Sequence, residues 1–267
     1  MPKINKNYFI KEKIGDGQFG MIKLCVSKKT KESFALKIID KEDKKINIQW
    51  EKDISKLLIK NHSDNVIKCY DVFETKKFLF IVYEYMPMGN LNDFLFNTTI
   101  LLSSKQIGSI LIDVLKGLEF LNKFYIIHRD IKPENILISK NFNFVLTDFG
   151  FGKVVPYGEK TDEGFGTPCY VSPEVISKKP YDKATDLWSI GVLAYYLVYG
   201  KLPFDDEDSN LNLIKMKILK IDYELYQPDS NEAIENYHFV FSIIKCFLQH
   251  DYCRTTLDNF LKELPKA

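Results

Sequence analysis

The sequence predicts an α+β protein of two unequal lobes: a small β-rich N-lobe with one main helix, and a larger, mainly helical C-lobe. Three observations carry this expectation. The first third is dominated by short apolar or alternating runs broken by turn residues. A Pro/Gly break at Met86–Asn90 divides the chain. Beyond it, apolar residues recur mostly at helical spacing, around a short stretch crowded with polar groups.

The strand expectation rests on "YFIKEKIG", "GMIKLCVS" and "ESFALKIID", separated by Gly-rich or Lys-Thr-Lys turns. Trp50, Ile54, Leu57 and Leu58 then recur as one face of a helix. "NVIKCYDVFE" and "KFLFIVYEYM" flank Thr75–Lys77 as a hairpin. After the break, Ser103–Lys123 reads as an amphipathic helix, with Ser103 or Ser104 able to cap it. "NILIS" and "NFVLT" read as short strands, and Gly150–Ser172 as a long loop. Thr185–Tyr199 reads as a buried helix with Asp186 in its first turn. "NEAIENYHFVFSIIKCFLQ" and "TTLDNFLKEL" read as closing helices. The expected organisation is one domain over 1–267, with the N-lobe at about 1–85, a hinge at about 84–90 and the C-lobe at about 87–267.

Composition bounds the function. The chain has 267 residues, 45% hydrophobic and 27% charged, which suits a globular protein with a sizeable core. Lys+Arg 37 against Asp+Glu 36 gives a net charge of +1, no electrostatic case for binding nucleic acid or a membrane surface. Cys25, Cys69, Cys169, Cys246 and Cys253 are scattered without metal-ligand spacing, which fits reduced thiols. The N-terminal residues lack the apolar stretch of a signal peptide, and no apolar run is long enough to span a bilayer. These features predict a cytoplasmic protein, with the nucleus as the alternative.

The stretch "IIHRDIKPENILI", Ile126–Ile138, begins and ends like buried strand. Yet it carries His128, Arg129, Asp130, Lys132, Glu134 and Asn135, with Pro133 interrupting any ladder. Burying that many polar groups without partners costs several kcal/mol. Further upstream, Gly15, Gly17 and Gly20 form GxGxxG, which alone fits a hairpin turn, a dinucleotide fingerprint or chance. A dinucleotide fold needs a helix after the third glycine, whereas "MIKLCVS" reads as strand. Lys37 in "FALK" sits among Ala35, Leu36, Ile38 and Ile39, so it points into a cleft and needs an anionic partner. Glu51 is the only glutamate of the helix that follows.

In order, GxGxxG, "FALK", "HRDIKPEN", "DFG", "SPE" and "DLWSIG" make the chain resemble the eukaryotic protein kinases from about Tyr8 to about Leu261. The resemblance implies a bilobal kinase-like fold and transfer of the γ-phosphoryl group of ATP, with Mg²⁺, to a protein hydroxyl. It implies Asp130 as catalytic base, Asn135 and Asp148 as metal ligands, and Lys132 as a neutraliser of the transferred group. It implies that Lys37 meets the phosphates and Glu51 fixes its amine. Thr167 would shape the site beside Asp130 and Lys132. The nucleotide would be held by Ile14, Gly15, Gly17, Gly20, Ile22, Ala35, Lys37, Tyr83, Glu84, Met86, Leu137 and Asp148. Leu137 would lie below the adenine and Ile22 and Ala35 above it. The backbone of Glu84 and Met86 would read the base edge, and bulky Tyr83 would narrow access behind it.

Supporting roles follow from the same resemblance. His128 packs behind Phe149, Asp186 braces the loop around Asp130, and Glu174 pairs with Arg254, although "DYCRTT" is one residue shorter than usual. Ser55 stands where an apolar residue is usual, which weakens the expected alignment of Glu51. "DIKPEN" and "GTPCY" are similar to the serine/threonine branch. "DFGFGK" is similar to autophagy-initiating kinases, and "EYMPMGNL" and "PENILI" are compatible with calcium-dependent ones. Glu163 stands four residues before Thr167, where many relatives carry a phosphorylated threonine. A Glu163–Arg129 pair is expected to hold the segment partly ordered without phosphate, the alternative being a solvated glutamate. Asn90, Tyr196 and Glu134 imply at most a modest preference for basic peptides, on protein substrates with Ser/Thr acceptors, by a monomeric catalytic domain. The competing functions are a pseudokinase or nucleotide-binding scaffold without transfer, and a small-molecule kinase.

Overall fold

The computed structural model describes residues 3–17, 20–42, 48–98, 102–206, 208–225 and 231–263. A short helix α1 (Lys3–Asn7) leads into strands β1 (Tyr8–Gly17), β2 (Gly20–Ser27) and β3 (Ser33–Asp40). Helix α2 (Ile48–Lys60) follows, then β4 (Cys69–Glu74) and β5 (Phe78–Glu84). These five strands form one antiparallel sheet in the order β1-β2-β3-β5-β4. One sheet face buries Leu36, Phe34, Phe80 and Val82 with Ile4 and Cys25 in a satellite core. The opposite face, with Ile39, Leu79 and Ile81, joins Ile54 and Leu58 of α2 in the main core, which continues into the helical part.

The helical part begins with α3 (Leu91–Asn97), which the sequence did not announce. Asn90 caps it, its side chain accepting from the Asp93 N–H. Helix α4 (Ser104–Asn122) opens on a capping box, in which Ser103 accepts from the Gln106 N–H while Gln106 accepts from the Ser103 N–H. It buries Leu111, Val114, Leu115 and Leu118 as one apolar stripe. Strand β6 (Ile126–Ile127) leads to the polar stretch, followed by the hairpin β7 (Ile136–Ile138) and β8 (Phe144–Leu146).

The expected loop after Gly150 contains a two-residue strand, β9 (Lys153–Val154), paired with β6, and a 3₁₀ turn at Pro168–Tyr170. Helices α5 (Pro173–Ile176), α6 (Ala184–Tyr199), α7 (Leu211–Lys220), α8 (Asn231–Phe247) and α9 (Leu257–Glu263) complete the chain. Apolar almost throughout, α6 is buried from Thr185 to Tyr195 and stops at Gly200, whose φ of 66° suits glycine. Among the described residues no helix is long and apolar enough to cross a membrane.

Candidate active site

Pairing of β3 with β5 sets Ala35 opposite Tyr83 and Lys37 opposite Ile81. Lys37 is thereby aimed at the sheet face that α2 covers. Its amine forms an ion pair with Glu51 and a second, at 2.8 Å, with Asp148, 111 residues later in the chain. Lys37 and Glu51 are both buried. Burial alone would lower the Lys37 amine, but Asp148 and Glu51 together raise it above the usual lysine range. Burial likewise pushes Asp148 upward, and the adjoining Lys37 more than offsets this, so its carboxyl lies below the usual range. Asp148 stands at φ 64°, the left-handed region, where its Oδ1 also accepts from the Gly150 N–H at 3.1 Å. A non-glycine residue held there by two partners is backbone strain concentrated at a site.

The polar stretch finds its partners in the same cleft. Asp130 accepts through Oδ1 from the Thr167 hydroxyl (2.7 Å) and the Thr167 N–H (3.1 Å). Through Oδ2 it accepts from Asn135 Nδ2 (2.8 Å) and pairs with Lys132 Nζ (3.0 Å). Lys132 also donates to the Thr167 hydroxyl at 2.6 Å. Asn135 Nδ2 further donates to the Asp130 carbonyl, which fixes the amide and turns its Oδ1 away from Asp130.

Behind this cluster, Asp186 in the first turn of α6 accepts from the backbone N–H groups of His128 and Arg129, each at 2.8 Å. Arg129 has a φ of 66°, so these two bonds hold a second left-handed residue. The His128 ring packs 5.3 Å from Phe149. Its Nδ1 accepts from the Asp130 N–H, so Nε2 carries the proton and donates to the Thr147 carbonyl at 2.9 Å. Glu174 and Arg254 form the expected pair, with Nη1 and Nη2 on the two carboxylate oxygens at 2.7 and 3.2 Å. The shorter approach to Arg254 does not prevent it.

Glu163 meets Arg129 at 3.0 Å. Sequence reasoning missed the rest of that cluster. Lys153 on β9 pairs with the other Glu163 oxygen at 2.7 Å and receives its place from the β6–β9 pairing. Tyr181 donates to the Glu163 carbonyl (2.5 Å) and accepts from Arg129 (3.3 Å). Thr161 is buried, its backbone bridged to Tyr181 and its hydroxyl accepting from Lys153. The fixed five-residue step from Asp148 to Lys153 was a usable signal; nothing local to Tyr181 was.

One expectation needs correcting. Ser55 does not weaken the approach of α2: its hydroxyl shares a 2.8 Å hydrogen bond with the Tyr83 hydroxyl, and both residues are buried. A polar contact stands where an apolar one was expected, because the tyrosine brings its own partner atom. Of the residues expected to hold a nucleotide, Ile22, Ala35, Met86 and Leu137 are partly buried, whereas Ile14 is exposed. The Glu84 N–H is committed to the Lys68 carbonyl. A Cβ on Gly15 would meet nothing within 4 Å, leaving open space over the turn. At Gly20 a Cβ would lie 2.3 Å from the Ile38 carbonyl, so that glycine is needed for strand packing.

A lysine–glutamate–aspartate bridge and an Asp130 surrounded by Lys132, Asn135 and Thr167 thus lie at one site. Residues 8–264 match the family described as the protein kinase domain. The chain belongs to this family. Similar proteins include the SNF1-related protein kinase catalytic subunit alpha KIN12 of Arabidopsis thaliana, 35% identical over 207 residues. They also include the serine/threonine-protein kinases SIK1 of Mus musculus (37% over 218 residues) and SIK2 of Gallus gallus (38% over 218 residues). The alignments cover 76–80% of this chain, but only 41% of KIN12 and 27% of SIK1 and SIK2. This kinase domain thus spans less than half the length of these relatives.

Proposed function

We propose that the chain is an ATP- and Mg²⁺-dependent protein serine/threonine kinase, its hinge at about residues 84–90. The carrying observation is the pair of connected clusters at one cleft: Lys37 bridging Glu51 and Asp148, and Asp130 held by Lys132, Asn135 and Thr167. Lys37, fixed by two carboxylates, is pre-positioned for nucleotide phosphates. Asp130 would orient the acceptor hydroxyl for in-line attack on the γ-phosphorus and take its proton as the new O–P bond forms and the bond from the γ-phosphorus to the β–γ bridging oxygen breaks, with ADP as leaving group. Lys132, 3.0 Å from Asp130, would neutralise charge on the group in transit. Thr167, donating to Asp130, would shape the site for a short hydroxyl side chain.

The donor chemistry fits Mg²⁺: Asp148 offers a carboxylate, and Asn135, its nitrogen committed to Asp130, offers its carbonyl oxygen. Bound there, the metal would supply charge neutralisation to the phosphates. The proposal extends to activity without a phosphate on the segment after Gly150. Glu163 already engages Arg129 and Lys153, and buried Thr161 is tied into the Tyr181 bridge.

The test is transfer from Mg²⁺-ATP to a generic basic protein by phosphatase-treated protein, beside Asp130→Asn and Asp148→Asn. Wild type should transfer, and Asp130→Asn should lose about a hundredfold or more. Nucleotide-dependent thermal stabilisation with no transfer by wild type would overturn the reading in favour of a scaffold.

A further inference from the structure

Two polar rungs join the five-stranded sheet to α2. Ala35 and Lys37, two residues apart, lie on one face of β3, and Tyr83, the cross-strand partner of Ala35, shares that face. On α2, Glu51 and Ser55 are one helical turn apart and face the same way. Lys37 meets Glu51 on one rung and Tyr83 meets Ser55 on the next. All four residues are buried: Lys37 3%, Glu51 0%, Ser55 0% and Tyr83 6% exposed.

The rungs are unequal. Glu51 is bound through Oε1, while its Oε2 is buried without a hydrogen-bond partner. An incompletely satisfied buried carboxylate favours movement toward water. The ion pair alone, made through one carboxylate oxygen, therefore leaves the seating of α2 under-determined. The hydroxyl rung fixes it, because an outward swing would strand two buried hydroxyls. Burial also holds the Tyr83 phenol well above its usual range, so its proton stays available. We propose that Tyr83 and Ser55 are a positioning pair that sets the seating of α2 on the sheet and keeps Glu51 on Lys37. The inference rests on the proposed role of Lys37 and Glu51 in orienting ATP.

The test is amide hydrogen exchange over residues 48–60 in the nucleotide-free protein, comparing wild type with Ser55→Ala, Tyr83→Phe and the double variant. Ser55→Ala leaves the phenol unpartnered, and α2 amides should exchange about fivefold faster than in wild type while the C-lobe is unchanged. Tyr83→Phe should have a smaller effect, since the freed Ser55 hydroxyl can turn back to the Glu51 carbonyl. The double variant lacks the rung altogether and should exchange about as fast as Ser55→Ala, without the two single effects adding, because either change alone already breaks the pair. The KM for ATP should rise in Ser55→Ala and stay raised in the double variant, with kcat at saturating ATP little changed, a split that simple loss of stability would not produce. Wild-type exchange in both single variants, additive effects in the double, or acceleration spread over the whole domain would overturn the proposal. Exchange needs no turnover: an inactive wild type with this exchange pattern would sink the kinase reading alone.

Discussion

Two arginine–glutamate pairs in this kinase domain use the same chemistry in different surroundings. Arg254 spends all five N–H donors: two on Glu174 and one each on the carbonyls of Phe247, Ala184 and Gln249. Its guanidinium also lies 5.4 Å from the Trp188 ring centroid, and both charged side chains are desolvated, 0% and 3% exposed. Arg129 touches Glu163 through one nitrogen, and Glu163 divides its oxygens between Arg129 and Lys153. Glu163 is 38% exposed. The saturated pair joins α5 to the α8–α9 connection and has no competing partner to exchange with. In the divided pair Arg129 is buried but Glu163 reaches the surface, where water and salt compete, so the contact can open from the Glu163 side without unfolding the lobe. One therefore suits a scaffold and the other a segment that must order and release.

Breaking the buried pair should have the largest effect. Glu174→Ala strands a buried guanidinium and should destabilise the domain by about 3–5 kcal/mol, read as a lowered denaturation midpoint with an unchanged slope. Arg254→Lys keeps the charge but loses the fork and at least two carbonyl contacts; about 2 kcal/mol is expected. If either variant matched wild type in stability, the scaffold role would be refuted.

The divided pair should respond in rate and hardly in stability. Glu163→Ala removes a half-exposed partner worth about 1 kcal/mol or less. If that energy is what orders the segment, transfer by unphosphorylated protein falls by about fivefold. Arg129→Ala is the less informative change, because Arg129 also donates to the Phe151 carbonyl and stacks on Phe165. An unphosphorylated Glu163→Ala variant with wild-type rate would remove Glu163 from the account of activity.

The two pairs were also unequally legible in the sequence. Glu163 could be matched to Arg129 because both lie at fixed steps from landmarks, Thr167 and Asp130. The Glu174–Arg254 pair was likewise read from motif order. The Tyr83–Ser55 contact was not, because it joins residues 28 apart on different elements and depends on how α2 seats on the sheet. Reading Ser55 against an expected apolar neighbour missed that its partner was itself polar. Short elements failed for a related reason: α3 and β9 have too few residues for a period, and the tertiary surroundings that select them are invisible locally. Tyr181 joins the Glu163 cluster through its hydroxyl and a backbone bridge, neither of which has a side-chain signature.

Acid should separate the two pairs last and most gently. Burial raises the Glu163 carboxyl somewhat, but hydrogen bonds from Lys153 and Arg129, with their charges, bring it below the usual glutamate value of 4.5. A depressed carboxylate stabilises the folded segment fully above its unfolded value. That contribution is lost as pH falls through the lower folded value. Protection of the segment around Glu163 from proteolysis should therefore be flat near neutrality and decline only below about pH 4.5. Glu163→Gln, which cannot ionise, should begin with weaker protection and meet the wild-type curve in acid. Raising salt to about 0.5 M should narrow the same gap at neutral pH, because screening reaches the half-exposed carboxylate and not the Arg254 pair. Curves for Glu163→Gln and wild type that stayed a constant distance apart across acid and salt would mean that Glu163 acts through shape and not through charge.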